Sequence, residues 1–316
     1  MTATMKPEIL TLTHEIYDEA VRQLDENFTN HSVWSLAEPD KRIDEVAAGI
    51  RGIATSGHRG TSAALMDRLP KLEIISCFGV GVDAIDLKAA QQRGIAVTNT
   101  PDVLTDAVAE LAIGLMLASA RRIAAGDRFV RAGQWLKGPL PLTVKVTGAR
   151  LGILGMGRIG RAIADLAAGF GMTIGYHGPR RKDVTHRYYE RLAELAADSD
   201  FLIVACPGGA STARLVDAAV LKALGPAGTL VNVSRGSVVD EPALVAALQD
   251  GSLGAAALDV FADEPRVPPA LLALENVVLS PHAGSATHAT RAAMGQLVVD
   301  NLRAHFAGQP LLTRVV

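Results

Sequence analysis

The sequence predicts an α/β protein built from two doubly wound parallel-sheet domains. Three observations carry this reading. Short apolar runs alternate with amphipathic stretches, and they do so in two separate series along the 316 residues. A long Ala- and Leu-rich helix stands between the two series, and a second long helix follows the last strand.

The first series runs from Glu8 to about Thr98, with strands at Ile9 to Leu12, Ile53 to Thr55 and Ile74 to Cys77. Between them Ile16, Tyr17, Ala20, Val21 and Leu24 recur at helical spacing, as do Leu65, Met66 and Leu69 until Pro70 stops the pattern. Thr100 and Pro101 mark the start of a helix over Asp102 to Arg122, interrupted only by Gly114 and long enough to bridge two domains. Trp135 to Val146 contains Gly138, Pro139 and Pro141 and reads as an extended arm. The second series places strands at Arg150 to Leu154, Met172 to Tyr176, Phe201 to Ala205, Leu230 to Val233, Ala255 to Leu258 and Val277 to Leu279. Most are apolar nearly throughout, as strands covered on both faces must be. Ala286 to Phe306 reads as the final helix.

Composition narrows the function classes. Hydrophobic residues make up 49% and charged residues 20%, with a formal net charge of -2, the balance of an ordinary soluble globular protein. No charged tail points to nucleic acid or a membrane surface. Cys77 and Cys206 lie far apart and outside any C-x-x-C spacing, so neither a disulfide framework nor a zinc site is indicated, and a reducing compartment fits. Glu8 and His14 interrupt the amino terminus before any signal-peptide core forms, and no stretch approaches the roughly 18 apolar residues of a membrane span. The expectation is a cytoplasmic protein.

Within LGILGMGRIGRAIADLAAGFGM, Gly155, Gly157 and Gly160 form G-x-G-x-x-G directly after a strand and at the start of an amphipathic helix. Gly155 permits a tight turn, Gly157 lets the backbone approach a pyrophosphate, and Gly160 allows close helix–strand packing. A tight βα turn alone does not require three glycines at this spacing. After the next strand the chain reads Tyr176-His177-Gly178-Pro179-Arg180-Arg181-Lys182, with no acid until Asp183 to meet a ribose 2′-hydroxyl. His177 stands where that acid is expected, and Arg180 and Arg181 suit a 2′-phosphate, so NADPH is expected over NADH. The competing reading is a solvated basic loop.

Three further segments each follow a strand of the second series: NVSRGSVVDE, LDVFADEP and LSPHAGSAT. They supply Arg235, Glu264 and His282. Singly these read as an ion-pairing arginine, a turn residue and a structural histidine. Together with FGVGVDAIDL and NTPDVLTDAVAELAIGLML, in this order, they make the chain resemble the D-isomer-specific 2-hydroxyacid dehydrogenases, and within them the glyoxylate/hydroxypyruvate reductases. The likeness runs from about Pro70 to Phe306, and more loosely to both ends.

That resemblance implies a flavodoxin-like substrate domain of residues 1–100 plus 287–316, a Rossmann cofactor domain of residues 101–286, and an active site in an interdomain cleft. It implies that Arg235 grips the substrate carboxylate and polarises the 2-oxo group, that His282 is the general acid, and that Glu264 orients it. The chemistry agrees: hydride addition leaves negative charge on oxygen, which needs a cation and a proton donor, and no metal. Candidate cofactor contacts are Thr105, Met156, Arg158, Ile159, Cys206, Pro207, Val233, Ser234, Asp259 and Gly284 beside the residues already named. Val80 and Gly81, in the loop Phe78-Gly79-Val80-Gly81, are assigned to the substrate carboxylate through backbone N–H groups; an ordinary glycine turn is the alternative.

The loop Ser56-Gly57-His58-Arg59-Gly60 is expected over the active site, with His58 and Arg59 either ligands or solvated. A homodimer through the helix Asp106 to Ala120 and the arm is expected, with Leu140 standing where some relatives push an aromatic residue into the neighbour. The main rivals are a dinucleotide-sensing regulatory protein on the same fold and a dehydrogenase for another acid: 2-oxogluconate, phenylpyruvate, formate, phosphite or phosphoglycerate.

Overall fold

The computed structural model describes residues 5–316, which form two compact units. One runs to Leu104 and resumes over Ser285–Val316; the other is Thr105–Gly284.

In the first unit β1 (Glu8–Thr11), β2 (Thr29–Ser32), β3 (Ile50–Ser56), β4 (Ile74–Phe78) and β5 (Ala96–Thr98) pair in parallel in the order β2-β1-β3-β4-β5. This is the flavodoxin-like order, whose direction reverses between β1 and β3. β4 is buried throughout, and β3 nearly so, because they are central strands covered on both faces. Sequence periodicity gives no strand at β2, whose residues TNHS carry no apolar face; it is an edge strand, laddered to β1 and tied further by His31 to Glu8 at 3.0 Å and by Asn30 to Asp25 at 2.8 Å. On the opposite edge the carboxyl terminus closes the sheet, with Val97 N–H bonded to Val316 O and Val315 N–H to Val97 O. The helix His288–Phe306 lies antiparallel to the strands. Its last turns, at Leu302 and Phe306, face Gly52 near the start of β3, while Arg291 in its first turn stacks on Phe78 at the end of β4.

In the second unit β6 (Arg150–Leu154), β7 (Thr173–His177), β8 (Arg187–Tyr188), β9 (Phe201–Val204), β10 (Thr229–Asn232), β11 (Ala255–Leu258) and β12 (Val277–Leu279) make one parallel sheet. Its order is β12-β11-β10-β9-β6-β7-β8. Counted from its own first strand this is the dinucleotide-binding order with one strand added, and direction reverses between β6 and β9. Every loop leaving a carboxyl end of these strands therefore lies on one edge.

The final helix starts at His288 rather than Ala286, and the long helix differs from the sequence expectation at both ends. The long helix starts at Thr105 rather than Asp102, since Asp102 takes φ 67°, outside helical space. It stops at Ala120, and the left-handed Arg122 (φ 51°) turns the chain into a separate helix, Ile123–Arg131, which has no buried residue. The helix Thr105–Ala120 packs against the helix Arg158–Ala168 and against β10, β11 and β12, all within the second unit. No described helix is long and apolar enough to cross a membrane.

Packing in the first unit rests on a close helix contact: a Cβ added at Gly295 would sit 2.7 Å from the Ala20 side chain, on the helix Asp18–Asn27. Gly295→Val should therefore destabilise the protein by about 1–3 kcal/mol, the usual range for overpacking, as read by denaturant unfolding of the first unit.

Candidate active site

The glycine-rich turn joins β6 to the helix Arg158–Ala168, and each glycine has a separate reason to be there. Gly155 has φ 103° and lies where a Cβ would come within 2.6 Å of Cys206 N. A Cβ on Gly160 would overlap the Gly155 carbonyl oxygen, so this helix approaches the turn only without a side chain. Gly157 precedes the first helical residue, makes no side-chain cap and faces open space. Backbone N–H groups at a helix start with room before them are what an anionic pyrophosphate requires. Met156 is buried, Ile159 partly so, and Arg158 is exposed.

A cavity of about 470 Å³ adjoins this turn. Gly155, Gly157, His177, Arg180, Cys206 and Pro207 are in its wall, together with Leu215 and Lys182. Arg181 is exposed and does not line it. The basic loop is held at both ends. Tyr188 Oη donates to Gly178 O at 3.1 Å, and Tyr176 Oη takes the Lys182 N–H at 2.7 Å. His177 Nδ1 bonds Tyr189 O at 2.9 Å, which fixes its ring. The loop is thus a pre-set cationic edge rather than a loose tail.

The loops after β10, β11 and β12 carry Arg235, Glu264 and His282. Asn232, buried at the end of β10, accepts from Ser234 N–H at 3.1 Å and donates to Arg235 O at 3.0 Å, fixing the turn that projects Arg235. Ser234 Oγ donates to the Cys206 carbonyl, tying this turn to the loop after β9, and Val233 is buried beside it. Asp259, 1% exposed, organises the last loop. Its carboxylate accepts from Ser280 Oγ at 2.6 Å, Ala283 N–H at 2.7 Å and Gly284 N–H at 2.9 Å, while its carbonyl accepts from His282 N–H at 2.8 Å.

His282 consequently stands at φ 50°, the left-handed region. Its Nδ1 lies 2.8 Å from Glu264 Oε2, and Glu264 Oε1 accepts the Phe261 N–H at 2.9 Å. The carboxylate is anchored by the Phe261 N–H and in turn orients the ring through Nδ1. Thr105, also predicted for the cofactor, is the first residue of its helix and partly buried.

In the first unit the turn after β4 is pinned by Asn99 and Thr100. Thr100 Oγ1 accepts the Gly79 N–H at 3.0 Å, Thr100 N–H donates to Gly79 O at 2.9 Å, and Asn99 Nδ2 donates to Val80 O at 2.9 Å. Cys77 Sγ contacts Gly81 O at 3.7 Å. The carbonyls are thus all engaged, whereas the N–H groups of Val80 and Gly81 have no acceptor among the described residues. Gly79 takes φ 136°, which lets the loop present them together.

A family model, D-isomer specific 2-hydroxyacid dehydrogenase, NAD binding domain, matches residues 113–284. A hydroxyphenylpyruvate reductase of Plectranthus scutellarioides is 49% identical over 93% of this chain and 95% of its own length. The chain belongs to the D-isomer specific 2-hydroxyacid dehydrogenases. A glyoxylate/hydroxypyruvate reductase A HPR2 of Arabidopsis thaliana is likewise 49% identical, over 93% of this chain and 94% of that one. The solved structure of an NADPH-dependent glyoxylate/hydroxypyruvate reductase from Sinorhizobium meliloti, in complex with NADP and malonate, matches with a TM-score of 0.91 at 44% identity. That match covers 98% of this chain and 97% of the other. The dehydrogenase is an oxidoreductase that takes a nicotinamide dinucleotide, and the glycine turn with its open helix start fits that group.

Sequence reasoning left out the pieces that hold the site together. Asn232, Ser280, Tyr176 and Tyr188 act through single hydrogen bonds set by the fold, and Leu215 enters the cavity from a loop with no motif. Asn232 and Ser280 had a visible signal, their places in the segments NVSRGSVVDE and LSPHAGSAT.

Burial raises the Cys206 thiol to about 11. A raised thiol stays neutral below that pH, so at pH 8 iodoacetamide should label Cys206 roughly a hundredfold more slowly than an open cysteine, speeding up only as pH nears 11. Peptide mass mapping against time measures this, and bound dinucleotide should slow it further.

Proposed function

We propose that this dehydrogenase reduces small 2-oxo acids, glyoxylate and hydroxypyruvate among them, to D-2-hydroxy acids with NADPH. The anchored pair of His282 and Glu264, 2.8 Å apart on the same sheet edge as Arg235 and the glycine turn, is the observation that carries this reading. The nicotinamide, when bound, supplies the hydride. The N–H groups of Val80 and Gly81 and the Arg235 guanidinium hold the substrate carboxylate, and Arg235 draws charge toward the 2-oxo oxygen as it develops. His282 Nε2 delivers the proton to that oxygen, while Glu264 fixes the ring and balances its charge. No bound metal enters these steps. A dinucleotide-sensing role would need neither this pair nor the loop N–H donors.

His282→Ala should lower turnover by roughly two to four orders of magnitude with dinucleotide affinity nearly unchanged. Arg235→Ala should raise KM as well as lower turnover, because it serves both the carboxylate and the carbonyl. Steady-state kinetics with glyoxylate and hydroxypyruvate, alongside dinucleotide titration, separates the two; near-normal turnover in the His282 variant ends the assignment.

Preference for NADPH follows from the pinned loop. Arg180 and Lys182 border the cavity where an acid would face a ribose hydroxyl, and Arg181 adds charge from outside it. Each charge-assisted contact contributes about 1.5–3 kcal/mol before solvent screening, which is substantial for exposed side chains. A variant with His177→Asp, Arg180→Ala and Arg181→Ala should lose most of its NADPH preference in kcat/KM; equal use of both cofactors by the wild type contradicts the reading.

The dimer reading is supported by apolar surface. Trp135 is 68% exposed, Leu136 94% and Leu142 100%, next to a helix that buries none of its residues. Leu140 packs over Gly126 of its own chain, so Trp135, Leu136 and Leu142 are the outward residues of the arm. Light scattering at micromolar concentration should give twice the 33.1 kDa chain mass, and Trp135→Asp with Leu142→Asp should give the monomer.

A further inference from the structure

Arg291 differs from the paired arginines of the first unit. Arg51, Arg68 and Arg93 each meet a carboxylate, at 2.5 Å, 2.7 Å and 2.5 Å. Arg291 is half-buried, yet it makes no ion pair and no side-chain hydrogen bond among the described residues. Its guanidinium carbon lies 5.3 Å from the centroid of the Phe78 ring. Desolvation lowers its pKa from the ordinary value, and the charge of Glu15 is the only influence opposing this. Stacking on an aromatic ring uses the face of a guanidinium and leaves its in-plane N–H donors for another acceptor. No buried side-chain donor is left unsatisfied among the described residues, so the Arg291 donors reach solvent and are open to an oxygen that a ligand brings.

Its position identifies that ligand. Glu15 follows β1, Phe78 ends β4, and β3 lies between those two strands in the sheet. A side chain acting on both stands over the carboxyl end of β3, at the reversal point of the strand order, where folds of this type bind ligands. Phe78 also begins the turn whose Val80 and Gly81 N–H groups meet no acceptor among the described residues. An acid seated on those N–H groups presents its tail to the same edge.

We propose that Arg291 is a specificity-determining residue that binds an oxygen carried beyond the 2-oxo carbon of the substrate, a hydroxyl or a second carboxylate. This rests on the reductase reading above and narrows it to polar-tailed 2-oxo acids over apolar ones. Arg291 takes no part in hydride or proton transfer, so a substrate without a tail does not need it.

The test compares wild type, Arg291→Met and Arg291→Lys with glyoxylate, which has no tail, and hydroxypyruvate, which has one. Arg291→Met should lose about ten- to a hundredfold in kcat/KM for hydroxypyruvate, mainly through KM, with glyoxylate little changed and Arg291→Lys recovering part of the loss. Equal losses for both substrates would mean that Arg291 only supports Phe78, and no loss for either would mean that it is idle; both overturn the proposal. Calorimetry of oxamate and tartronate on the cofactor-loaded enzyme gives a second readout independent of turnover. If the wild type reduces neither substrate, the reductase reading fails, while selective loss of tartronate affinity in Arg291→Met still decides the role of Arg291.

Discussion

The buried carboxylate of Asp259 is the constraint on which the catalytic edge depends. It leaves the end of β11 and collects Ser280 Oγ, Ala283 N–H and Gly284 N–H, while its own carbonyl takes His282 N–H. A buried carboxylate is tolerated only when its oxygens are matched by donors, and here every donor comes from one short loop. The loop is therefore fixed to the sheet, and His282 is held in a left-handed conformation that isolated histidine rarely adopts. Glu264 then meets a ring already in place.

The rest of the site follows from the parallel sheet. Strands β6, β7, β9, β10, β11 and β12 end on one edge, so the glycine turn, basic loop, Cys206–Pro207, Arg235 and His282 are neighbours in space although more than a hundred residues separate the first from the last. Each loop is short and tied back by a buried or ring-held polar group: Asn232, Asp259, Tyr176 and Tyr188. The first unit repeats the principle with Asn99 and Thr100, which engage the Gly79 N–H and the carbonyls of Gly79 and Val80 and leave the Val80 and Gly81 N–H groups with no acceptor among the described residues. In the proposed reduction, rigid presentation of these donors and of the His282 ring stabilises the charge that develops on the 2-oxo oxygen.

Much of this was legible in the sequence because central parallel strands must be apolar on both faces and because phosphate-binding turns need glycine. The strands from β6 to β12 that sit inside the sheet were read to within a residue or two, as were the three glycines and the segments bearing Arg235, Glu264 and His282. The strands β2, β5 and β8 were not, β2 because it is polar and β5 and β8 because three and two residues are too few to show a pattern. Nor was the break at Arg122, where a non-glycine residue takes left-handed geometry without a composition signal. Asp259 was read as a cofactor contact; its structural work became visible only when β11 and β12 were seen side by side.

The central proposal is that Glu264 serves the reaction by positioning His282. A double-mutant cycle on kcat/KM with hydroxypyruvate tests it most directly, using His282→Ala, Glu264→Gln and the two together. The account predicts that Glu264→Gln costs activity when His282 is present and almost nothing once His282 is gone, so that the double variant matches His282→Ala alone. Losses that multiply independently would show that Glu264 has its own part in the chemistry and would contradict the account.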